Sequence, residues 1–189
     1  MNLPNKLTVL RIIMIPLFVA VFYISAIPYN YIISAGIFAL AAFTDFLDGF
    51  IARKYNLVTD FGKFLDPIAD KVLVSTALIV MLLPYGSLEI LPWYGAICVA
   101  VIMARELIVS GFRLIAAGKG KVIAADKSGK IKTFLTDIAI VVLLVSASLI
   151  ESFAILNLIG RILLYVSTAL TIYSGIECLV KNKGVIASK

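Results

Sequence analysis

Six long apolar segments follow one another along the chain, and they limit the possible folds more than any other feature. Each is about twenty residues long, the length that a helix needs to cross the hydrocarbon core of a bilayer. Continuous apolar runs predict helices, because a membrane β-barrel would alternate apolar and polar residues in strands of about ten residues. The hydropathy pattern places the spans at residues 7–26, 31–52, 64–84, 93–116, 131–149 and 155–180.

The overall composition agrees with a membrane protein. Apolar residues make up 62% of the chain, charged residues make up 15%, and the mean hydropathy is +1.08, all outside the range of soluble domains. The 189 residues leave room for six spans and short connections. We therefore predict an all-α integral membrane protein with six transmembrane helices, forming a single domain over residues 1–189 with an uncleaved first helix.

The basic residues predict the orientation of the protein. They lie at both ends of the chain and in the connections between spans two and three and between spans four and five, whereas the other three connections contain no Lys or Arg. Basic connections stay in the cytoplasm, so both termini are predicted to be cytoplasmic. Arg161, near the outer end of span six, is expected to reach outward or to pair with Glu151.

The net charge of +6 has the same explanation. It indicates the cytoplasmic bias of the basic connections and an affinity for anionic membrane lipid, and it gives no reason to expect nucleic acid as a partner. We therefore predict a multi-pass protein of the cell membrane.

Histidine is absent and there are two cysteines, Cys98 and Cys178, in different spans. The absence of histidine excludes Ser-His-Asp triads, histidine general bases and histidine metal ligands. The two cysteines form no CxxC pair and are expected to be buried apolar side chains. Any chemistry must therefore use carboxylates, Lys, Arg, hydroxyls or metal ions.

Residues 44–70, TDFLDGFIARKYNLVTDFGKFLDPIAD, place the carboxylates of Asp45, Asp48, Asp66 and Asp70 near the cytoplasmic ends of spans two and three. At 100° per residue, Asp45 and Asp48 share one helix face, and Asp66 and Asp70 share a face of the next helix. A short turn joins the two helices, so the acidic faces can meet. Unpaired carboxylates there would repel one another. Oxygen ligands of this kind favour Mg²⁺, Mn²⁺ or Ca²⁺, and two pairs of Asp can hold two ions.

Small residues accompany these acids. Gly49, Ala52 and Gly62 leave space for a ligand to approach the backbone, and Arg53 can contact a phosphate. One alternative is an interfacial salt-bridge network between the acids and the neighbouring basic residues Arg53, Lys54, Lys63 and Lys71. Another alternative is an ion-coupled transporter, which would more typically hold its carboxylates near the bilayer midplane.

The pattern Asp45-x2-Asp48-Gly49-x2-Ala52-Arg53-x8-Gly62-x3-Asp66-x3-Asp70 resembles the complete motif of the CDP-alcohol phosphatidyltransferases. This resemblance implies a six-helix membrane fold, usually a homodimer, that transfers a phosphatidyl group from CDP-diacylglycerol to an alcohol and releases CMP. It also implies two divalent cations on the four aspartates, with the last aspartate as general base. The stretches LPNKLTVLR, ARELIVSGFR and GKIKT are similar to those of the bacterial phosphatidylglycerophosphate synthases in this family.

The resemblance leads to specific expectations for the donor side of a cytoplasm-facing active site. Asp45, Asp48, Asp66 and Asp70 are expected to hold two ions, Mg²⁺ or Mn²⁺, and Asp70 is also expected to deprotonate the acceptor hydroxyl. The CDP moiety is expected to contact Gly49, Ala52, Arg53, Gly62 and one face of the first helix formed by Asn5, Thr8 and Arg11. Topology and helix capping explain these last three residues equally well.

The acceptor side depends on basic residues of spans four and five. Arg105 lies inside span four, where a cation is a functional candidate, with Glu106 as its expected partner. Together with Arg113, Lys130 and Lys132 it is expected to bind the phosphate of sn-glycerol 3-phosphate. Phosphatidylglycerol and an inositol phosphate are the alternative acceptors. Asp137 and Glu177 are also acids in apolar stretches of the sequence. A structural role in balancing the basic charges and a functional role explain these two residues equally well.

Overall fold

A computed structural model of the protein describes residues 2–55, 59–83, 89–120, 123, 127–149 and 153–184. Within these ranges the regular structure consists of helices and contains no strand: α1 is Leu3–Tyr23, α2 is Asn30–Lys54, α3 is Asp60–Leu82, α4 is Gly95–Gly118, α5 is Lys127–Ser148 and α6 is Phe153–Lys181. The prediction of an all-α membrane protein is confirmed.

Of the helices described, α1, α2, α4, α5 and α6 are long and apolar enough to cross a membrane. α3 differs because Asp66, Asp70 and Lys71 interrupt its apolar sequence. Many large apolar side chains on the outer surface are exposed, such as Leu107 at 68% and Leu114 at 75%, as expected where a helix faces lipid. The crossing of the membrane by α3 and the cytoplasmic location of both termini stay predictions.

Side-chain caps begin α1 and α3. The Asn2 side chain accepts a hydrogen bond of 3.2 Å from the Asn5 backbone N–H, and Pro4 follows in the first turn, a combination that favours a helix start. The Thr59 hydroxyl accepts a bond of 3.0 Å from the Gly62 N–H. Both helices therefore begin about one turn before the apolar segments, at residue 3 instead of 7 and at residue 60 instead of 64.

The helices pack in two groups. In the first, α1 packs against α2 and α3, with the rings of Phe18, Phe22 and Phe38 packed together in the core. In the second, α6 packs along α5 and against α4. α5 and α6 approach closely at Gly160, where a Cβ atom would lie 2.7 Å from the Leu143 Cγ. Contacts between α2 and α5 join the two groups.

A pocket lies where α3 meets α4 and α5. The contacts of α3 with these two helices are less extensive than its contacts with α1. The pocket has a volume of about 30 Å³, which is enough for one or two water molecules. We call it the junction pocket.

Candidate active site

The four aspartates predicted as metal ligands lie on two packed helices, Asp45 and Asp48 on α2 and Asp66 and Asp70 on α3. The Asp48 side chain is 2% exposed, whereas that of Asp45 is 41% exposed. Their charges act on one another: Asp48 interacts with Asp45 and Asp66, and Asp70 interacts with Asp45. The structure therefore brings the acids of both helices within electrostatic range.

Arg11 neutralises the two acids of α2. Its Nη1 lies 2.6 Å from an Asp45 oxygen, its Nη2 lies 2.5 Å from an Asp48 oxygen, and its Nε donates a bond of 3.3 Å to the Ala41 carbonyl. The Arg11 side chain is completely buried. A carboxylate as buried as that of Asp48 needs such a partner, because an unpaired buried charge is strongly destabilising.

The rest of the polar face of α1 contacts α3. The Thr8 hydroxyl donates a bond of 2.5 Å to Asp66, and the Asn5 side-chain oxygen accepts one of 2.9 Å from Thr59. Gly62 permits this close approach, since a Cβ atom there would lie 3.1 Å from the Asn5 oxygen and 3.2 Å from the Thr59 hydroxyl. The face of α1 that the sequence singled out therefore lies directly against the acids.

The acids and Arg11 determine how a metal ion would fit. Within the described ranges, no three Asp, Glu, Cys or His residues are placed together so that they could hold an ion, and the Arg11 guanidinium pairs with both Asp45 and Asp48. The donor set itself suits a divalent cation, because it consists of carboxylate oxygens from facing helices. A cation bound by Asp45 and Asp48 would take the place of the guanidinium.

The neighbouring lysines make other contacts. Lys71 donates a bond of 3.1 Å to the Pro67 carbonyl, and the Lys54 Nζ lies 5.6 Å from the ring centroids of Phe50 and Tyr55. Among the side chains that the structure describes, the cation paired with the α2 acids therefore comes from α1. Gly49 lies in α2 next to Asp48. The side chains of Ala52 and Arg53 from the motif, and of Lys63 from the salt-bridge alternative, lie outside what the structure describes.

Glu106 joins two of the cations predicted for the acceptor site. Its Oε1 accepts a bond of 2.9 Å from the Arg105 Nη1 and also pairs with the Lys132 Nζ. The Arg105 Nη2 donates a second bond of 2.9 Å to the Ser174 hydroxyl. The expected Arg105–Glu106 pair is confirmed, and Lys132 joins the same carboxylate from α5.

The junction pocket connects the acids with these cations. Asp70 from α3, Glu106 from α4 and Lys132 and Thr136 from α5 are among the residues that line it. Of the four basic residues predicted for the acceptor phosphate, Lys132 lines this pocket and Arg105 is joined to Lys132 through Glu106. Arg113, about two turns beyond Arg105 on α4, and the exposed Lys130 on α5 neither line the pocket nor pair with Glu106. The structure therefore brings together two of the four predicted acceptor residues.

The other three charged residues singled out from the sequence, Glu177, Asp137 and Arg161, have different surroundings. Glu177 accepts a bond of 2.9 Å from Ser128 and pairs with Lys181 at 2.6 Å. Asp137 has one buried oxygen without a hydrogen-bond partner among the described residues. Arg161 lies 3.4 Å from the Ile90 carbonyl oxygen, and Glu151, its expected partner, lies outside the described residues.

Two contributors to the site had not been predicted from the sequence. Thr59 caps α3 and binds Asn5, and a Thr three residues before Gly62 at the start of a helix is a recognisable capping signal. Ser174 contacts Arg105, and a single serine in a transmembrane helix gives no comparable signal, because such serines commonly bond to their own backbone.

The chain is similar to proteins of known kind over most of its length. A model of the CDP-alcohol phosphatidyltransferase family matches residues 1–173. The CDP-diacylglycerol–glycerol-3-phosphate 3-phosphatidyltransferase of Bacillus subtilis (strain 168) is 42% identical, over 96% of this chain and 95% of the relative. Proteins of the same name from Rickettsia bellii and Salmonella typhimurium are 44% and 38% identical, and each match covers more than nine tenths of both chains.

Proposed function

The chain belongs to the CDP-alcohol phosphatidyltransferase family, and we propose that it transfers the phosphatidyl group of CDP-diacylglycerol to sn-glycerol 3-phosphate. The products are phosphatidylglycerophosphate and CMP, and the reaction belongs to anionic phospholipid synthesis. The names of the relatives support both substrates.

The observation that carries the proposal is the composition of the junction pocket. Asp70 comes from the acidic motif and Lys132 comes from a basic stretch more than 60 residues later, yet both line this pocket. A transferase of this type needs a base and an anion-binding cation side by side, because one acceptor molecule presents its hydroxyl to the first and its phosphate to the second.

Asp70 acts as the general base in this proposal. It takes the proton from the acceptor hydroxyl as the oxygen attacks the phosphorus of CDP-diacylglycerol. The bond from phosphorus to the CMP oxygen breaks, and CMP leaves. Asp70 then releases the proton to solvent.

Arg105 and Lys132 bind the acceptor phosphate. In the structure their charges are shared by Glu106, so the phosphate replaces that carboxylate as their partner. Charge-assisted bonds from Arg and Lys favour a phosphate group over the neutral end of plain glycerol. Arg113 and Lys130 neither line the junction pocket nor share Glu106 with Lys132, and we assign them a weaker role in attracting anions towards the site.

The donor binds on the α1–α2–α3 side. Dependence on divalent metal ions is typical of this family, and Asp45, Asp48, Asp66 and Asp70 would hold two ions, Mg²⁺ or Mn²⁺. Bound there, the ions would neutralise the diphosphate of CDP-diacylglycerol and the negative charge of departing CMP. Arg11, released from the acids, would turn to the donor phosphates together with Asn5 and Thr8. The motif residues Gly49, Ala52, Arg53 and Gly62 complete the proposed CDP site.

The proposed setting is a homodimer in the cell membrane with the active site facing the cytoplasm. The distribution of basic residues supports this orientation. Water-soluble glycerol 3-phosphate would then reach the junction pocket from the cytoplasm, while the acyl chains of the donor stay in the bilayer.

An acceptor panel tests the proposal. Purified protein with CDP-diacylglycerol and Mg²⁺ should release CMP with sn-glycerol 3-phosphate, and should do so poorly with glycerol, phosphatidylglycerol or an inositol phosphate. CMP release with one of the other alcohols in its place would identify a sister enzyme. Absence of CMP release with every alcohol would refute the transferase assignment and favour the transporter alternative.

A further inference from the structure

α6 has a row of buried hydroxyl groups on one face. Ser167, Thr171 and Ser174 are spaced four and three residues apart and are at most 2% exposed, so they lie on one side of the helix. α6 packs against α4 and α5, the helices with the cations assigned to the acceptor phosphate. The Thr171 hydroxyl has no hydrogen-bond partner among the described residues, whereas Ser167 and Ser174 bond to groups of α5 and α4. A buried hydroxyl is costly unless it is bonded, so the partners of these two serines indicate what the helix holds in place.

At one end of this face, α6 fixes the head of Arg105. The Ser174 hydroxyl accepts a bond of 2.9 Å from the Arg105 Nη2 and can donate one of 3.2 Å to the Thr171 carbonyl. Donation to its own helix turns the hydroxyl hydrogen away, which leaves an oxygen lone pair for the guanidinium. The Arg105 head is therefore held by Ser174 on one side and by Glu106 on the other.

The residue after Ser174 fixes the stem of Arg105. A Cβ atom at Gly175 would lie 3.0 Å from the Arg105 Cγ and 3.4 Å from its Nε. Such distances are shorter than normal carbon–carbon contacts, so the stem lies directly on the α6 backbone. A Cβ atom at position 175 would push this stem by a few tenths of an ångström.

At the other end of the face, α6 fixes the backbone of α5 at Lys132. The hydroxyls of Thr136 and Ser167 lie 2.5 Å apart, at 2.9 and 3.1 Å from the Lys132 carbonyl oxygen. Each hydroxyl has one hydrogen, so two of these three contacts form at a time, and each of the three possible arrangements links α5 to α6. From this fixed backbone position the Lys132 side chain extends to Glu106 and pairs with its carboxylate.

We propose that α6 is the positioning element of the acceptor site, in which Ser174 and Gly175 set the place of Arg105 and Ser167 sets that of Lys132. The inference rests on the proposed function, since Arg105 and Lys132 are assigned there to the acceptor phosphate. Ser174 and Gly175 follow directly after residue 173, where the match to the family model ends. These two are positioning residues and do not contact substrate.

Ser174 is tested by removing and restoring its hydroxyl. Ser174→Ala should raise the KM for glycerol 3-phosphate about three- to tenfold, the range expected for loss of one hydrogen bond, and leave kcat and the KM for CDP-diacylglycerol within twofold. Ser174→Thr keeps a hydroxyl and should restore most of the affinity. Ser34→Ala is the matched control, because Ser34 is fully buried and its hydroxyl has no hydrogen-bond partner in the described part of the chain.

Gly175 provides a second test that does not depend on the serine variant folding. Gly175→Ala should raise the same KM by displacing the Arg105 stem, whereas Gly36→Ala, where a Cβ atom meets nothing within 4 Å, should not. Unchanged KM values in both Ser174→Ala and Gly175→Ala would overturn the inference. Equal increases for both substrates, or failure of threonine to restore affinity, would also overturn it.

Anion binding without the donor separates this inference from the proposed function. Inorganic phosphate should raise the apparent Tm of the unmodified protein and raise that of Ser174→Ala less at the same concentration. This result supports the positioning role even if glycerol 3-phosphate does not release CMP, an outcome that would refute only the assigned acceptor. Equal phosphate shifts in both proteins, or no shift in the unmodified protein, would refute the positioning role.

Discussion

Replacing Arg11 by methionine should destabilise the metal-free protein strongly. Methionine approximates the unbranched stem of arginine and removes the guanidinium that pairs with Asp45 and Asp48. The two acids differ in what they lose. Asp48 is 2% exposed and becomes an unpaired buried carboxylate, whereas the Asp45 side chain is 41% exposed and water can replace its partner.

The expected magnitude follows from this difference. Removing one partner of a buried ion pair costs about 3–5 kcal/mol, and loss of an exposed pair costs about 1 kcal/mol or less. Asp48 therefore dominates, and we expect a loss of about 3–5 kcal/mol. For a chain of 150–250 residues each kcal/mol shifts Tm by about 2–4 °C, which gives a decrease of about 6–20 °C.

The assay is thermal unfolding in detergent with EDTA and with added Mn²⁺. With EDTA, Arg11→Met should unfold well below the unmodified protein, and Arg113→Met is the control, because Arg113 has no ion pair among the residues described. Mn²⁺ should raise the Tm of Arg11→Met more than that of the unmodified protein, where the ion has to displace the guanidinium. A Tm with EDTA within about 1 °C of the unmodified protein, or equal Mn²⁺ shifts, would refute the idea that Arg11 serves as the internal counter-ion of these acids.

Three further predictions concern catalysis. Asp70→Asn should lower kcat by about 10² to 10⁴ while CDP-diacylglycerol still raises the Tm, and near-normal turnover would exclude Asp70 as the base. Excess EDTA should abolish CMP release and Mg²⁺ or Mn²⁺ should restore it, with Asp48→Asn requiring more metal; full activity in EDTA would exclude metal dependence. Arg105→Gln should raise the KM for glycerol 3-phosphate about ten- to a hundredfold, whereas Arg113→Gln should raise it less than threefold. Equal effects of the two substitutions would contradict the assignment of the phosphate to Arg105 and Lys132.

The fold was largely predictable because the length and continuity of the apolar runs almost determine a helical membrane protein. The helix ends were predicted less well. Hydropathy marks where a helix is apolar, and α1 and α3 begin earlier in polar turns that are capped by Asn2 and Thr59. Propensity and capping, which hydropathy ignores, decide such ends.

The site was predictable in its components and less so in its pairings. Helical periodicity placed Asn5, Thr8 and Arg11 on one face, and the structure has that face against the acids. The pairing of Arg11 with Asp48 depends on how α1 packs against α2, which no local pattern encodes. The same holds for Ser174 and Arg105, which are 69 residues apart and meet only because α6 packs against α4.

The position of the junction pocket leads us to expect that the surrounding bilayer affects the rate of the reaction. The pocket has a volume of about 30 Å³, room for one or two water molecules, and it lies where α3 contacts α4 and α5 less extensively than it contacts α1. Small sliding movements of packed helices are a common way to open such a site. A mismatch between helix length and bilayer thickness is accommodated in part by helix tilt, at modest energetic cost. We therefore expect lipid composition to change the separation of Asp70 and Lys132 and, with it, the rate of lipid synthesis.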